Sequence, residues 1–228
     1  MFSRASQSRM TYKVQRQGTL PAVKARWDAV PWNGIPPLTI SEYMGDKPDH
    51  FPRVQVKVAY DDAAVSVIFK VEDRYVRAVA KHYQDRVYED SCVEFFFTPA
   101  DNVSRGYFNL EMNCCGVGLF HFKSGGGGQA VHVAENDFRE IQIAHTMHQD
   151  LLSEIQNPVT WGLEYRVPLG ILAKYCEVTV PAPERIWRAN FYKCGDKTSH
   201  PHWLSWSAVD HPTPQFHLPE YFGVLEFA

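Results

Sequence analysis

The 228-residue sequence predicts an all-β fold, an immunoglobulin-like or jelly-roll β-sandwich of about ten antiparallel strands with one short helix. Three observations predict it. Apolar residues alternate with polar ones along most of the chain, whereas helical spacing is scarce. Turn residues interrupt the alternation at short intervals. Hydrophobic residues make up 45% of the chain and aromatics 14%, enough for a substantial core.

The elements follow in order. RVQVKVAY (53–60) places Val54, Val56, Val58 and Tyr60 on one face. AVSVIFKVED (64–73) does the same with Val65, Val67, Phe69 and Val71, and Asp61-Asp62 between them reads as a hairpin turn. CVEFFF (92–97), GYFNLEMN (106–113) and GVGLFHF (116–122) read as the next three strands. SGGGGQ (124–129) cannot hold a strand and reads as a loop. With no Lys-Ser/Thr after it, it is not a phosphate-binding loop. Alternation returns over 138–146 and 159–167. PLGILAKY (168–175) reads as the helix, with Pro in its first turn. IWRANFYKCG (186–195), HWLSWSAV (202–209) and FGVLEF (222–227) complete the strands. Residues 1–20 alternate weakly and read as an extension covering an edge; residues 21–228 read as one domain.

Composition excludes several functions. Net charge is −3 and no long basic run exists, so no nucleic-acid footprint is visible. No apolar run is long enough for a membrane span. The five cysteines, Cys92, Cys114, Cys115, Cys176 and Cys194, form no CxxC pair and read as reduced, mostly buried thiols. The first ten residues contain no apolar stretch of the secretory type.

The polar faces of four strands carry the functional signal. Because side chains alternate across a strand, Cys92, Glu94 and Phe96 oppose Val93, Phe95 and Phe97. Tyr107, Asn109, Glu111 and Asn113 likewise share a face, as do Glu164 and Arg166, and Arg188, Asn190 and Tyr192. An ordinary solvated sheet face is the plain alternative. Yet amides, carboxylates, an arginine and aromatic rings together are what a sugar site needs, since sugar hydroxyls both donate and accept hydrogen bonds.

DSCVEFFFTP, YFNLEMN, WGLEYRVPLGIL, WRANFYKC, HWLSW and FHLPEYFGVLEF, in that order, resemble family 9 carbohydrate-binding modules, in particular the free-standing family-9-like proteins of glycan-degrading bacteria. The resemblance spans roughly residues 35–228. It implies a β-sandwich that binds the end of a saccharide without catalysis, and it leans towards a periplasmic or secreted protein. It implies that Tyr88, six residues before Glu94, and Phe216 clamp the sugar; better-known members have tryptophan at both positions. Glu94, Glu111 and Asn113 become polar contacts, joined by Arg188 and Asn190 from the face argument. The resemblance also allows structural calcium, with Asp61, Asp62, Glu72, Asp73, Glu89 and Asp90 as oxygen donors but no EF-hand spacing.

Three rival readings remain. A glycoside hydrolase would use Glu94 and Glu111, about 5–9.5 Å apart, although Asn and Arg beside them would keep both ionised. A haem or metal site would draw on His200, His202, His211 and His217. An interaction module would expose Trp32, Trp203 and Trp206. No GxSxG nucleophile elbow occurs.

Overall fold

The computed structural model describes residues 9–20, 22–147, 151 and 153–228. Its strands are β1 (Thr11–Arg16), β2 (Leu38–Ile40), β3 (Glu42–Tyr43), β4 (Arg53–Tyr60), β5 (Ala64–Asp73), β6 (Cys92–Thr98), β7 (Gly106–Asn113), β8 (Gly118–Ser124), β9 (Ala130–His132), β10 (Gln142–His145), β11 (Val159–Pro168), β12 (Ile186–Cys194), β13 (Trp203–Ser205) and β14 (Gly223–Phe227). Among the described residues, two α-helices of one turn each, α1 (Glu135–Phe138) and α2 (Leu169–Leu172), and four 3₁₀ turns accompany the strands.

The fold is all-β, as the alternation predicts. The strands form one continuous sheet in the order β10-β11-β5-β4-β1-β14-β12-β6-β7-β8-β9. β2 pairs with β4, and β13 joins β12 to β3. The sheet is mixed where an antiparallel one was expected. β1 runs parallel to β14 through Thr11–Val14, then parallel to β4 through Gln15 and Arg16. Residues 11–16, read as part of an edge-covering extension, therefore sit mid-sheet; residues 1–8 lie outside the described residues. The stretch 138–146, read as one strand, divides between the end of α1 and β10. The stretch 202–209 contributes only the three residues of β13.

The sheet curls so that its halves face each other across the main core. Phe69 of β5 meets Phe191 of β12 edge-on at 6.1 Å. Phe191 stacks on Phe95 at 4.8 Å, Phe95 on Phe97 at 4.3 Å, and Phe97 on Trp187 at 5.6 Å. Offset stacks of this kind add about 0.5–1.5 kcal/mol each to the area they bury. Trp32 and Trp206 also belong to this core, so two of the three tryptophans weighed as an exposed patch are buried.

The three consecutive phenylalanines of β6 serve two cores. Phe95 and Phe97 enter the main one. Phe96 points the other way, into a smaller cluster with Met44, Tyr107, Tyr192, Val209 and Phe222. The far face of β6 and β7 is thus covered rather than solvated, and every residue of both strands is buried.

Candidate functional site

Register places the polar residues in rows across β12, β6, β7 and β8. Tyr192 pairs with Glu94, Glu94 with Glu111, and Glu111 with Leu119. In the next row Asn190 pairs with Phe96, Phe96 with Asn109, and Asn109 with His121. A pocket of about 330 Å³ opens over these rows, at the lower end of the range for small-ligand sites. Tyr88, Asp196, Trp203 and the segment Pro214–His217 complete its walls.

The walls are held from outside the sheet. Phe216 stacks on Tyr192 at 4.1 Å and meets Phe96 edge-on at 6.4 Å. The Tyr192 hydroxyl donates to the Phe216 carbonyl at 3.2 Å. Tyr88 lies in a 3₁₀ turn (Val87–Glu89), and its carbonyl accepts from the Asp196 N–H at 3.0 Å. The Trp203 indole N–H donates to Asp196 Oδ1 at 2.8 Å.

The floor is a pair of buried carboxyls. Glu94 is 1% exposed; its Oε1 accepts from the Cys194 thiol at 3.1 Å, and its Oε2 has no partner. Glu111 is 5% exposed and accepts from the Asn109 amide at 2.9 Å. The other end of that amide, Asn109 Oδ1, is buried without a partner. Burial, the Cys194 thiol and the Glu111 carboxylate hold Glu94 well above the ordinary carboxylate range. Burial, with Asp196 nearby, pushes Glu111 up to about 7 despite the Asn109 bond. Burial also raises Asp196.

These values correct two expectations. The carboxyls are not kept ionised by flanking Asn and Arg, and Glu94 does not stand on a solvent-accessible face. Burial prevails because no guanidinium lies among the described residues that line the pocket.

Of the seven site residues expected from the sequence, the pocket brings together Tyr88, Glu94, Glu111 and Phe216. The other three serve the backbone instead. Asn113 Oδ1 accepts from the Cys115 and Val117 N–H groups at 3.1 and 3.0 Å, and its amide donates to Asp90 at 3.0 Å. It fixes the turn between β7 and β8, where Gly116 adopts φ +79° and an added Cβ would lie 2.8 Å from His145. Arg188 donates to the carbonyls of Phe222 and Gly223. Asn190 donates to the Ser207 carbonyl and accepts from its N–H, both at 2.9 Å.

Phe96, Asn109, Leu119, His121, Cys194, Asp196, Trp203, Gln215 and His217 line the pocket without having been singled out as ligand contacts. Face parity was a usable signal for Asn109, which alternates with Glu111. Nothing local points to Asp196 or Trp203, which reach the pocket from beyond the end of β12.

The six acids considered for calcium are already engaged. Asp61 accepts from Arg166, Asp73 from His50, and Asp90 from Arg77; Asp62, Glu72 and Glu89 pair with Arg16, Arg53 and Lys197. Among the described residues, no three of these acids converge on one point, as a calcium site would need. The histidines weighed for a metal stand apart. His202 Nε2 faces Lys193 Nζ at 2.7 Å, His200 stacks on Tyr75, and His217 Nδ1 is hydrogen-bonded to the Tyr107 hydroxyl at 2.9 Å. Among the described residues, the metal-ligating side chains that do converge are Cys92, Glu94 and Cys194. None of the five cysteines forms a disulfide.

Comparison with known proteins adds three findings. The model of carbohydrate-binding family 9 matches residues 28–227. A protein from Bacteroides uniformis, whose carbohydrate binding is itself inferred, is 27% identical; the match covers 97% of this chain and 100% of that one, with a TM-score of 0.87. Two structures of a family 9 module from Caldicellulosiruptor kristjanssonii, one with cellotriose and one with glucose, superpose with TM-scores of 0.63 and 0.60. Each is 13% identical; the cellotriose match covers 96% of this chain and 93% of that one, the glucose match 95% and 96%, and at this identity the likeness speaks for the fold. No curated protein sequence matches the chain.

Proposed function

The chain belongs to carbohydrate-binding family 9, and from that premise we propose that its pocket holds the terminal sugar of a glycan and performs no chemistry on it. One observation carries the proposal. Two buried acceptors without partners, Glu94 Oε2 and Asn109 Oδ1, sit at the floor of a pocket walled by Tyr88, Trp203 and Phe216. A buried polar atom left unpaired costs about 1–3 kcal/mol, and a sugar hydroxyl removes that cost. A carboxyl that keeps its proton both donates and accepts, as a hydroxyl does. The ring faces offer the apolar side of a pyranose a surface to lie against. The segment Pro214–His217 walls the pocket beside Phe96 and Tyr192, which favours the end of a chain over its middle. The facing halves of the curled sheet likewise support the sandwich architecture that the sequence suggests.

A hydrolase reading draws on the same carboxyls, since a general acid must hold its proton near neutral pH. Placement argues against it. Glu94 and Glu111 stand side by side on adjacent strands at the floor, whereas a glycosidase flanks the scissile bond from both sides.

A thermal-shift screen against mono- and oligosaccharides tests the proposal, starting with glucose and cellotriose. A ligand at about 100 times its Kd stabilises by about 2.7 kcal/mol, a rise in Tm of roughly 5–10 °C for a chain of this size. No shift with any sugar overturns it. Release of nitrophenol from nitrophenyl glycosides, abolished in Glu111→Gln, would favour the hydrolase.

A further inference from the structure

We propose that the sugar selected by this pocket carries a free ammonium group, making the ligand an amino sugar; the inference rests on the saccharide-binding reading above. Three carboxyls line the pocket, from Glu94, Glu111 and Asp196. No lysine or arginine lies among the described residues that line it. The partners these carboxyls have are all uncharged: the Cys194 thiol, the Asn109 amide and the Trp203 indole.

Among the described residues, three of the four acids buried elsewhere in the chain have a cationic partner. Asp61 has Arg166 at 2.7 Å, and Asp90 is bridged to Arg77 at 2.5 Å. Asp73 has His50 at 2.8 Å and Lys193 at 3.4 Å. Glu164 has no cation either, but the Lys24 and Ala25 N–H groups and the Trp32 indole donate to both its oxygens, whereas the pocket gathers carboxyls without counter-charge and leaves Glu94 Oε2 with no donor. A second observation is independent of the acids. Asn109 Oδ1 is an amide acceptor, buried in the pocket lining, and nothing donates to it.

Once Glu94 and Glu111 give up their protons, the surplus at the floor is one of acceptors. An ammonium offers three donors and no acceptor, which is the complement of Glu94 Oε2, Asn109 Oδ1 and the Glu111 carboxyl. Its charge also favours the ring faces of Tyr88, Trp203 and Phe216. An N-acetyl group brings no charge and adds a carbonyl that needs a donor.

Arg86 acts on Tyr88 and Lys123 on His217, but neither lines the pocket, and the other titratable neighbours do not supply the missing charge. His121, stacked on His132 at 4.3 Å, is pushed down to about 4 by burial. His217 is hydrogen-bonded to the Tyr107 hydroxyl and is also lowered by burial. Cys92, Cys194, Tyr88 and Tyr192 are raised by burial and stay neutral. An ammonium entering beside Glu94 and Glu111 favours their ionised forms, so its binding releases a proton to the buffer.

The test is isothermal titration calorimetry with glucosamine, galactosamine and mannosamine, each against its parent hexose and its N-acetyl derivative, in two buffers of different ionisation enthalpy. At least one amino sugar is expected to bind ten or more times as tightly as its hexose and N-acetyl counterparts, with proton release seen for the amino sugar alone. In Glu111→Gln and in Asp196→Asn, the ratio of amino-sugar to hexose affinity should fall towards one, whatever happens to the hexose affinity itself. If every hexose binds at least as tightly as its amino sugar, the inference fails and the saccharide reading stands. If no sugar of any kind binds, both fail.

Discussion

Replacing Glu111 with glutamine should stabilise the ligand-free protein at neutral pH and leave its stability unchanged in acid. The folded carboxyl holds its proton up to about pH 7, whereas the unfolded one releases it near 4.5. Between those values the folded chain binds one proton more than the unfolded chain, so stability falls as pH rises. Each pH unit of that interval costs about 1.4 kcal/mol. Below 4.5 both states hold the proton and nothing is lost. Above about 7 the loss is complete, and 2.5 × 1.36 gives about 3 kcal/mol. Glutamine has the same shape, still offers Asn109 an acceptor, and has no charge to bury. Urea unfolding of both proteins at about pH 4 and about pH 8 measures the difference. It should grow from near zero to about 3 kcal/mol in favour of the variant. A difference independent of pH, or a variant less stable at high pH, would refute the reasoning, because it would mean that Glu111 is solvated or paired with a cation.

Three further substitutions separate the pocket from the scaffold. Phe216→Ala removes a wall stacked on Tyr192 and should weaken sugar binding by about tenfold, as read by calorimetry; unchanged affinity would remove Phe216 from the site. Asn190→Ala strips both partners from the Ser207 backbone and should cost about 2 kcal/mol in urea while sugar affinity is retained. Lys193→Ala leaves Asp73 without its fully buried cation and should cost about 3–5 kcal/mol; a loss under 1 kcal/mol would mean that His50 alone satisfies Asp73.

Much of the fold is visible in local alternation. β4, β5, β6, β7, β11 and β12 each bury one face in the main core, so their apolar residues recur at every second position. β1 is different. Its partners β14 and β4 are parallel and far away in sequence, and the local pattern carries no trace of them. β3 and β13 are too short to show a period. The site was legible to the same degree and for the same reason. Parity puts Glu94, Glu111 and Asn109 on one face, but it does not say where along that face a pocket lies. Asn113, Arg188 and Asn190 share the parity and sit outside the pocket, bonded to backbone. Nor does parity reveal what covers the face. The segment holding Phe216 arrives more than a hundred residues after Glu94, and it is this cover that turns a solvated face into a buried one and moves the carboxyls out of their ordinary range.

The most direct test of saccharide binding in this pocket is a ¹H–¹⁵N titration that follows the six tryptophan indole N–H resonances, with Trp203 assigned by Trp203→Phe. The Trp203 N–H donates to Asp196 within the pocket, whereas Trp161 and Trp187 lie fully buried in the main core. A saccharide bound in the pocket should shift the Trp203 resonance in a saturable way and leave those of Trp161 and Trp187 in place. A saturable shift elsewhere, with Trp203 unmoved, would contradict the account.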